Sequence, residues 1–175
     1  MKNKFFSLLI ITLMCVSINA QSEGLSKHFK SLAKGSSSYL SKAAFERYTN
    51  DIGVISDLES YYKSENTVVQ KEAIRLMGHI GATHSMSGNR QTAVYQLLSL
   101  VETASSNNIG EIIKSLQRFQ PADYSVESRR LLINAVTYER SSMSDFIRLM
   151  GYLDMQEELK GIEVVSISAK TCALP

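Results

Sequence analysis

The pentapeptide Ile-Arg-Leu-Met-Gly occurs twice in this chain, at residues 74–78 and at residues 147–151. The two copies are 147 − 74 = 73 residues apart. A degenerate third copy between them, at residues 113–117, reads Ile-Lys-Ser-Leu-Gln. Repeats at such spacings are typical of helical arrays, in which each unit buries its apolar face only by stacking on its neighbours. The repeats therefore predict a fold built from stacked helical units.

The rest of the chain has the periodicity of helices. Apolar residues recur at three- and four-residue spacing, and proline occurs only at positions 121 and 175. Thr67 follows a polar turn and is predicted to cap the helix that carries the first copy. We expect that helix to end between Gly78 and Gly81, with a left-handed glycine conformation. The fold class predicted is all-α: a short α-solenoid of stacked antiparallel helix pairs.

Residues 1–20 have the layout of a secretory signal peptide. A short positive start at Lys2 and Lys4 precedes an apolar run, and Ala20 is the predicted residue before cleavage. The apolar run is short for a membrane span, which needs about 20 residues; an uncleaved N-terminal anchor is the alternative. No Asn-x-Ser/Thr acceptor for N-glycosylation occurs, which favours a bacterial export route. We expect a periplasmic or secreted protein with no integral membrane segment after cleavage.

Charge argues against nucleic acid as a partner. Loss of Lys2 and Lys4 with the signal peptide lowers the number of basic residues from 19 to 17, against 17 acidic residues. A nearly neutral protein lacks the electrostatic attraction that supplies most non-specific binding to nucleic acid. The expected organisation is a divergent N-terminal helix pair at 21–49, helical repeats at 50–160 and an extended tail at 161–175.

The first copy lies in a motif that resembles the HEAT-repeat family, particularly its short bacterial form. The second helix of that repeat typically reads Val-Arg-x-x-Ala-Ala-x-Ala-Leu-Gly-x-Ile-Gly. The residues of this chain that match are Val69, Ala73, Gly78, Ile80 and Gly81. The arginine of the family motif is Gln70 here. The resemblance covers roughly residues 50–160 and implies a right-handed solenoid of about three helix pairs after a divergent N-terminal pair.

The aligned copies share one basic position, which is followed one turn later by further polar or aromatic residues. The basic residues are Arg75, Lys114 and Arg148, and the residues one turn later are His79, Arg118 and Tyr152. Stacked helices would place these six side chains on one surface, where they form a candidate binding site for an acidic segment of a partner protein. The alternative is that each basic residue only pairs with an acid three residues earlier, at Glu72, Glu111 and Asp145.

Residues for catalysis or metal binding are few. His79 and His84 are five residues apart, which does not place two ligands on one helical face, and we expect both to be solvated. The run Gly-Ser-Ser-Ser at 35–38 is predicted to be a flexible turn rather than a nucleophile site. Cys15 leaves with the signal peptide, so Cys172 alone cannot form an intramolecular disulfide or a cysteine-based metal site. We expect no metal or cofactor.

The sequence therefore favours an exported, non-enzymatic module that presents a helical-repeat surface to a protein partner. Two alternatives remain open at this point. One is a structural or regulatory subunit of a cell-envelope complex, joined through Cys172 or the tail. The other is an enzyme or a nucleic-acid binder on a helical-repeat scaffold, since fold by itself does not determine function.

Overall fold

A computed structural model describes residues 24–138, 142–158 and 160. The predicted signal peptide at 1–20 and the predicted tail at 161–175, including Cys172, lie outside the described residues. The described residues form helices and contain no strand, which confirms the all-α prediction. The helices are α1 (24–33), α2 (Lys42–Tyr48), α3 (Val54–Tyr62), α4 (Thr67–Thr83), α5 (Ser87–Ser99), α6 (Ser106–Leu116), the 3-10 helix η1 (Pro121–Asp123), α7 (Val126–Tyr138) and α8 (Met143–Tyr152).

Short polar residues start two of the central helices. The side chain of Asn66 accepts hydrogen bonds from the backbone N–H groups of Val68 (3.0 Å) and Val69 (3.3 Å), so Asn66 is the N-cap of α4. The predicted cap, Thr67, is wrong by one residue, because Asn66 has the extended backbone that a cap requires and Thr67 is already helical. The hydroxyl oxygen of Ser125, the residue before α7, accepts a hydrogen bond from the backbone N–H of Ser128 at 3.2 Å.

The glycines of the first copy lie inside α4 rather than at its end. The helix continues to Thr83, so the expected left-handed end between Gly78 and Gly81 is wrong. Gly78 is buried against Ser115 of α6, and Gly81 is buried against Ala93 of α5. Both glycines therefore permit close approach of a neighbouring helix, which is the other use that a helix has for a residue without a side chain.

α4 is the central helix of the fold. It packs against α3, α5 and α6, while α5 also packs against α7, and α7 packs against α8. The buried apolar residues form one continuous core that extends from Leu25 in α1 to Met155 beyond α8. Helices are thus stacked on each other around a shared core, as the repeats predict. No described helix has both the length and the apolar composition that a membrane crossing requires.

The two identical pentapeptides have only partly equivalent surroundings. Their leucines and methionines are buried in both copies. The glycines differ, because Gly78 is buried against Ser115, whereas Gly151 is exposed near the end of α8 and has nothing within 4 Å of the position of a Cβ. The two copies therefore match in their buried leucines and methionines and differ in their glycines.

This difference gives a matched pair of substitutions. A Cβ at Gly78 would lie 2.7 Å from the Cα of Ser115, which is backbone and cannot rotate away. We expect Gly78→Ala to lower the free energy of unfolding by about 1–3 kcal/mol through overpacking. Gly151→Ala should leave it unchanged or raise it by up to about 1 kcal/mol, because alanine favours helix. Urea unfolding followed by circular dichroism measures both; equal effects would contradict the close packing of α4 and α6.

Candidate functional site

α4 and α6 pack side by side and bring charged residues of two repeat copies to one surface. Arg75 and His79 lie one turn apart on α4, and Lys114 lies on α6. Arg118 follows two residues after the end of α6, and its charge acts on His79. We call the surface formed by these four residues, together with Lys71, Glu72 and Glu111, the α4/α6 face.

The carboxylate of Glu72 connects residues of α4 and α1 at this face. The Oε2 atom of Glu72 accepts a hydrogen bond from Nε of Arg75, and its Oε1 atom accepts one from Nη2 of Arg75, both at 2.7 Å. The Oε1 atom also lies 3.1 Å from Nε2 of His28, a buried residue of α1. Nδ1 of His28 lies 3.0 Å from the hydroxyl oxygen of Ser38. Glu72 therefore links α1 and the segment after it to α4.

These contacts fix the ionisation of Glu72. Burial is the largest single effect and on its own raises the pKa of the carboxyl group. The hydrogen bonds from Arg75 and His28, together with the charges of those two residues, outweigh burial and lower the pKa of Glu72 to about 2. Glu72 is consequently a carboxylate at neutral pH, and the charge of Arg75 is largely neutralised by it.

The positive charges of the face affect the pKa of His79. Burial is the main cause that lowers the pKa of His79 below its usual value, and the charges of Arg118 and Arg75 lower it further. The ring of Phe45 approaches it edge-on, with 6.1 Å between the ring centroids. His79 is therefore uncharged at neutral pH, and the nearby charges of α4 and α6 produce a positive potential around it.

A groove of 510 Å³ opens beside these charges, between the end of α1 and the first turns of α4 and α6. Leu32 and Val68 supply its apolar part, and Val68 is 56% exposed. The rest of the lining is polar, and the buried Asn108 there donates a hydrogen bond to Oε1 of Gln70. The polar residues that line the groove are Thr67, Lys71, Glu72, Arg75, Ser105, Asn107, Asn108 and Glu111.

The copy at residues 147–151 contributes its predicted residues to a different surface. Arg148 and Tyr152 lie on α8, whose main contact among the described helices is α7. Arg148 lies 3.6 Å from Asp145 in an exposed ion pair, and Tyr152 is 52% exposed. Of the six side chains predicted to share a surface, the structure places four on the α4/α6 face and two on α8.

The expected ion pairs form in two of the three copies. Glu72 pairs with Arg75, and Asp145 pairs with Arg148. Lys114 has no carboxylate within 4.0 Å among the described residues, so the expected pair with Glu111 does not form there. Lys114 is exposed and its charge is available to a partner.

Two histidines, His84 and His28, are buried, and the sequence indicated this for neither of them. His84, expected to be solvated, is only 2% exposed: its Nδ1 accepts a hydrogen bond from the backbone of Met86, and its Nε2 lies 3.0 Å from the carbonyl oxygen of Asp51. His28 is 3% exposed. Their partners lie 33 and 44 residues away in sequence, so no local pattern indicates them. Within the described part of the chain, no group of three or more His, Cys, Asp or Glu side chains is arranged to hold a metal ion.

Comparison with known proteins gives no relative: no protein-family model, curated protein or solved structure matches the chain. The HEAT resemblance depends on the motif residues alone.

The depressed pKa of Glu72 makes stability depend on pH in a defined direction. A carboxyl group whose pKa is lower in the folded state stabilises the fold above its unfolded pKa, and this contribution is lost as the pH falls through the folded pKa. For Glu72 the window runs from pH 4.5, the ordinary value, down to about 2. We expect Glu72→Gln to cost about 1–3 kcal/mol of unfolding free energy at pH 7.

Urea unfolding of the wild type and of Glu72→Gln at pH 7, 4 and 2.5 measures this contribution. The difference between the two proteins should shrink as the pH falls below 4.5, because the Glu72 carboxyl group of the unfolded chain then takes up a proton that the folded wild type does not bind until about pH 2. A difference that stays constant from pH 7 to pH 2.5 would show that the charge of Glu72 does not stabilise the fold.

Proposed function

We propose that this protein is an exported binding module, rather than an enzyme, and that its α4/α6 face binds an acidic segment of a partner protein. The observation that carries the proposal is the direct packing of α4 on α6. This contact joins the charges of two repeat copies into one surface beside an open groove. Export is supported by the signal-peptide pattern of residues 1–20.

The charge of the face favours an anionic partner. Four cations, Lys71, Arg75, Lys114 and Arg118, accompany the carboxylates of Glu72 and Glu111. Glu72 pairs with Arg75 and contacts His28, so its negative charge offsets that of Arg75 and does not offset the charges of Lys114 and Arg118. Lys114 and Arg118 are exposed and have no carboxylate within 4.0 Å in the described part of the chain. Complementary charge of this kind steers association and selects the partner.

The groove supports a peptide-like segment rather than a small molecule. It is an open cleft in which apolar Leu32 and Val68 lie beside charged and amide groups. Small-molecule sites are more enclosed and more apolar, whereas protein interfaces combine an apolar centre with a polar rim. An acidic segment with an apolar side chain for the groove fits this surface.

We also infer that the helices form a short α-solenoid of the HEAT type. The pairing of α3 with α4, the contact of α4 with α6 and that of α5 with α7 support this arrangement. The motif residues Val69, Ala73, Gly78, Ile80 and Gly81 support it independently. In such arrays one helix of each pair contributes to a common surface, which is the role proposed here for α4 and α6.

Reversal of charge on the face tests the proposal. Affinity capture of the tagged protein from its own cells identifies the partner, and titration calorimetry then measures the dissociation constant. We expect Lys114→Glu combined with Arg118→Glu to weaken binding by about tenfold or more, because both charges would repel an acidic segment. Arg75 is left intact, because its loss would leave the partly buried Glu72 without its main partner.

Arg148→Glu is the matched control. It reverses the charge at the equivalent position of the copy at residues 147–151, on α8, where the Arg148 side chain is 79% exposed. Binding by this variant should remain within about twofold of the wild type, because rim charges away from a contact contribute little. Unchanged binding by the double variant, or an equal loss in Arg148→Glu, would contradict the α4/α6 face as the binding site.

A further inference from the structure

Ser38, His28 and Glu72 form a continuous chain of side-chain contacts on the α1 side of the molecule. The hydroxyl oxygen of Ser38 lies 3.0 Å from Nδ1 of His28, and Nε2 of His28 lies 3.1 Å from Oε1 of Glu72. Ser38 and Glu72 are therefore joined through the two nitrogens of one imidazole. A nucleophile, a base and an acid that orients the base are connected in this order in enzymes that activate serine.

Glu72 determines which atoms carry the protons in this series of side-chain contacts. Both of its oxygens accept hydrogen bonds from Arg75, so it is a carboxylate and can only accept from His28. Nε2 of His28 must then carry the proton and donate it to Oε1. When the imidazole is uncharged, this leaves Nδ1 as an acceptor, to which the hydroxyl group of Ser38 can donate. The arrangement is that of a general base in contact with a hydroxyl nucleophile.

The nucleophile is at the surface, although the base is not. His28 is 3% exposed, which keeps the imidazole in a fixed orientation. Ser38 is partly exposed, lies in the irregular segment 36–41, and is flanked by exposed Ser37 and by Tyr39, which is 91% exposed. The backbone N–H groups of Ser38 and Tyr39 make no hydrogen bond with the described residues, so they are free to donate to an oxygen that gains negative charge.

We propose that Ser38 is a base-activated nucleophile that accepts an acyl group from an activated donor, such as a thioester or an acyl phosphate, and retains it as a serine ester. The hydroxyl oxygen attacks the carbonyl carbon and forms the ester bond, while its proton moves to Nδ1 of His28. The bond from that carbon to sulfur or to the phosphate oxygen breaks, and the leaving group takes the proton from His28. The carboxylate of Glu72 stabilises the imidazolium between these steps.

This modification goes beyond the proposed binding function and does not depend on it. It uses α1, the segment after it and the buried side of Glu72, whereas partner binding uses Lys114 and Arg118. The reaction occurs once per chain, so the protein is the acceptor of the acyl group and not a catalyst that turns over. A covalently attached acyl chain is one way in which an exported protein is held at a membrane surface.

Labelling with an alkyl fluorophosphonate tests the proposal directly. Attack by the hydroxyl oxygen of Ser38 forms an oxygen–phosphorus bond and expels fluoride, and His28 takes up the proton. Intact mass spectrometry of the full chain measures the rate, and peptide mapping locates the adduct. We expect one adduct per chain, on Ser38, formed roughly 100-fold faster than on the urea-unfolded chain, which is the size of a general-base contribution.

Ser38→Ala should abolish the labelling, while Ser37→Ala, which removes the neighbouring exposed hydroxyl, should label at the wild-type rate. Glu72→Gln, studied at a temperature where circular dichroism shows it to be folded, should label at least tenfold more slowly because the imidazole loses its anionic partner. No labelling of the folded wild type, equal rates in folded and unfolded chains, or an adduct that persists in Ser38→Ala would overturn the proposal.

Discussion

The direct contact between α4 and α6 at Gly78 determines how the rest of the molecule is arranged. Ser115 is buried there, and its hydroxyl group donates a hydrogen bond to the backbone carbonyl oxygen of Ile74 at 3.1 Å. Because Gly78 has no side chain, the backbones of the two helices approach more closely than larger residues would permit. This approach fixes α6 relative to α4, and it thereby sets the distance of Arg118 from His79 and the width of the groove between the first turns of the two helices.

A second contact that organises the molecule is made by Glu72, where the α4/α6 face meets α1. Its carboxylate is occupied by Arg75 on one side and by His28 on the other, so it attaches α1 to the central helix. The ion pair with Glu72 neutralises the charge of Arg75, so the positive potential of the face comes mainly from Lys114 and Arg118. One partly buried charge therefore has three effects: it anchors α1, it leaves the available positive charge of the face at the C-terminal end of α6, and it accepts the proton of the imidazole that contacts Ser38.

The sequence predicted the helices because their apolar spacing is local information. The predicted cap of α4 was one residue late, because Asn66 and Thr67 are both suitable cap residues. The predicted end of α4 was too early, because Gly78 and Gly81 were interpreted as helix ends. Contacts between residues distant in sequence could not be predicted from local patterns; His28 and Glu72, for example, are 44 residues apart. A signal was present at the third position of the pentapeptide, where leucine is replaced by Ser115 in the copy that packs on Gly78. The HEAT resemblance, export and partner binding stay predictions.

Native-state hydrogen exchange tests the central claim, which is that α4 and α6 form one cooperative unit through their close contact. Amides in the buried centres of the two helices, at 76–81 and 112–116, are compared as the concentration of denaturant is raised. We expect both sets to exchange through the same global opening, with the same free energy and the same dependence on denaturant. Exchange of the α6 amides through a separate opening, with a clearly lower free energy while α4 stays protected, would contradict it.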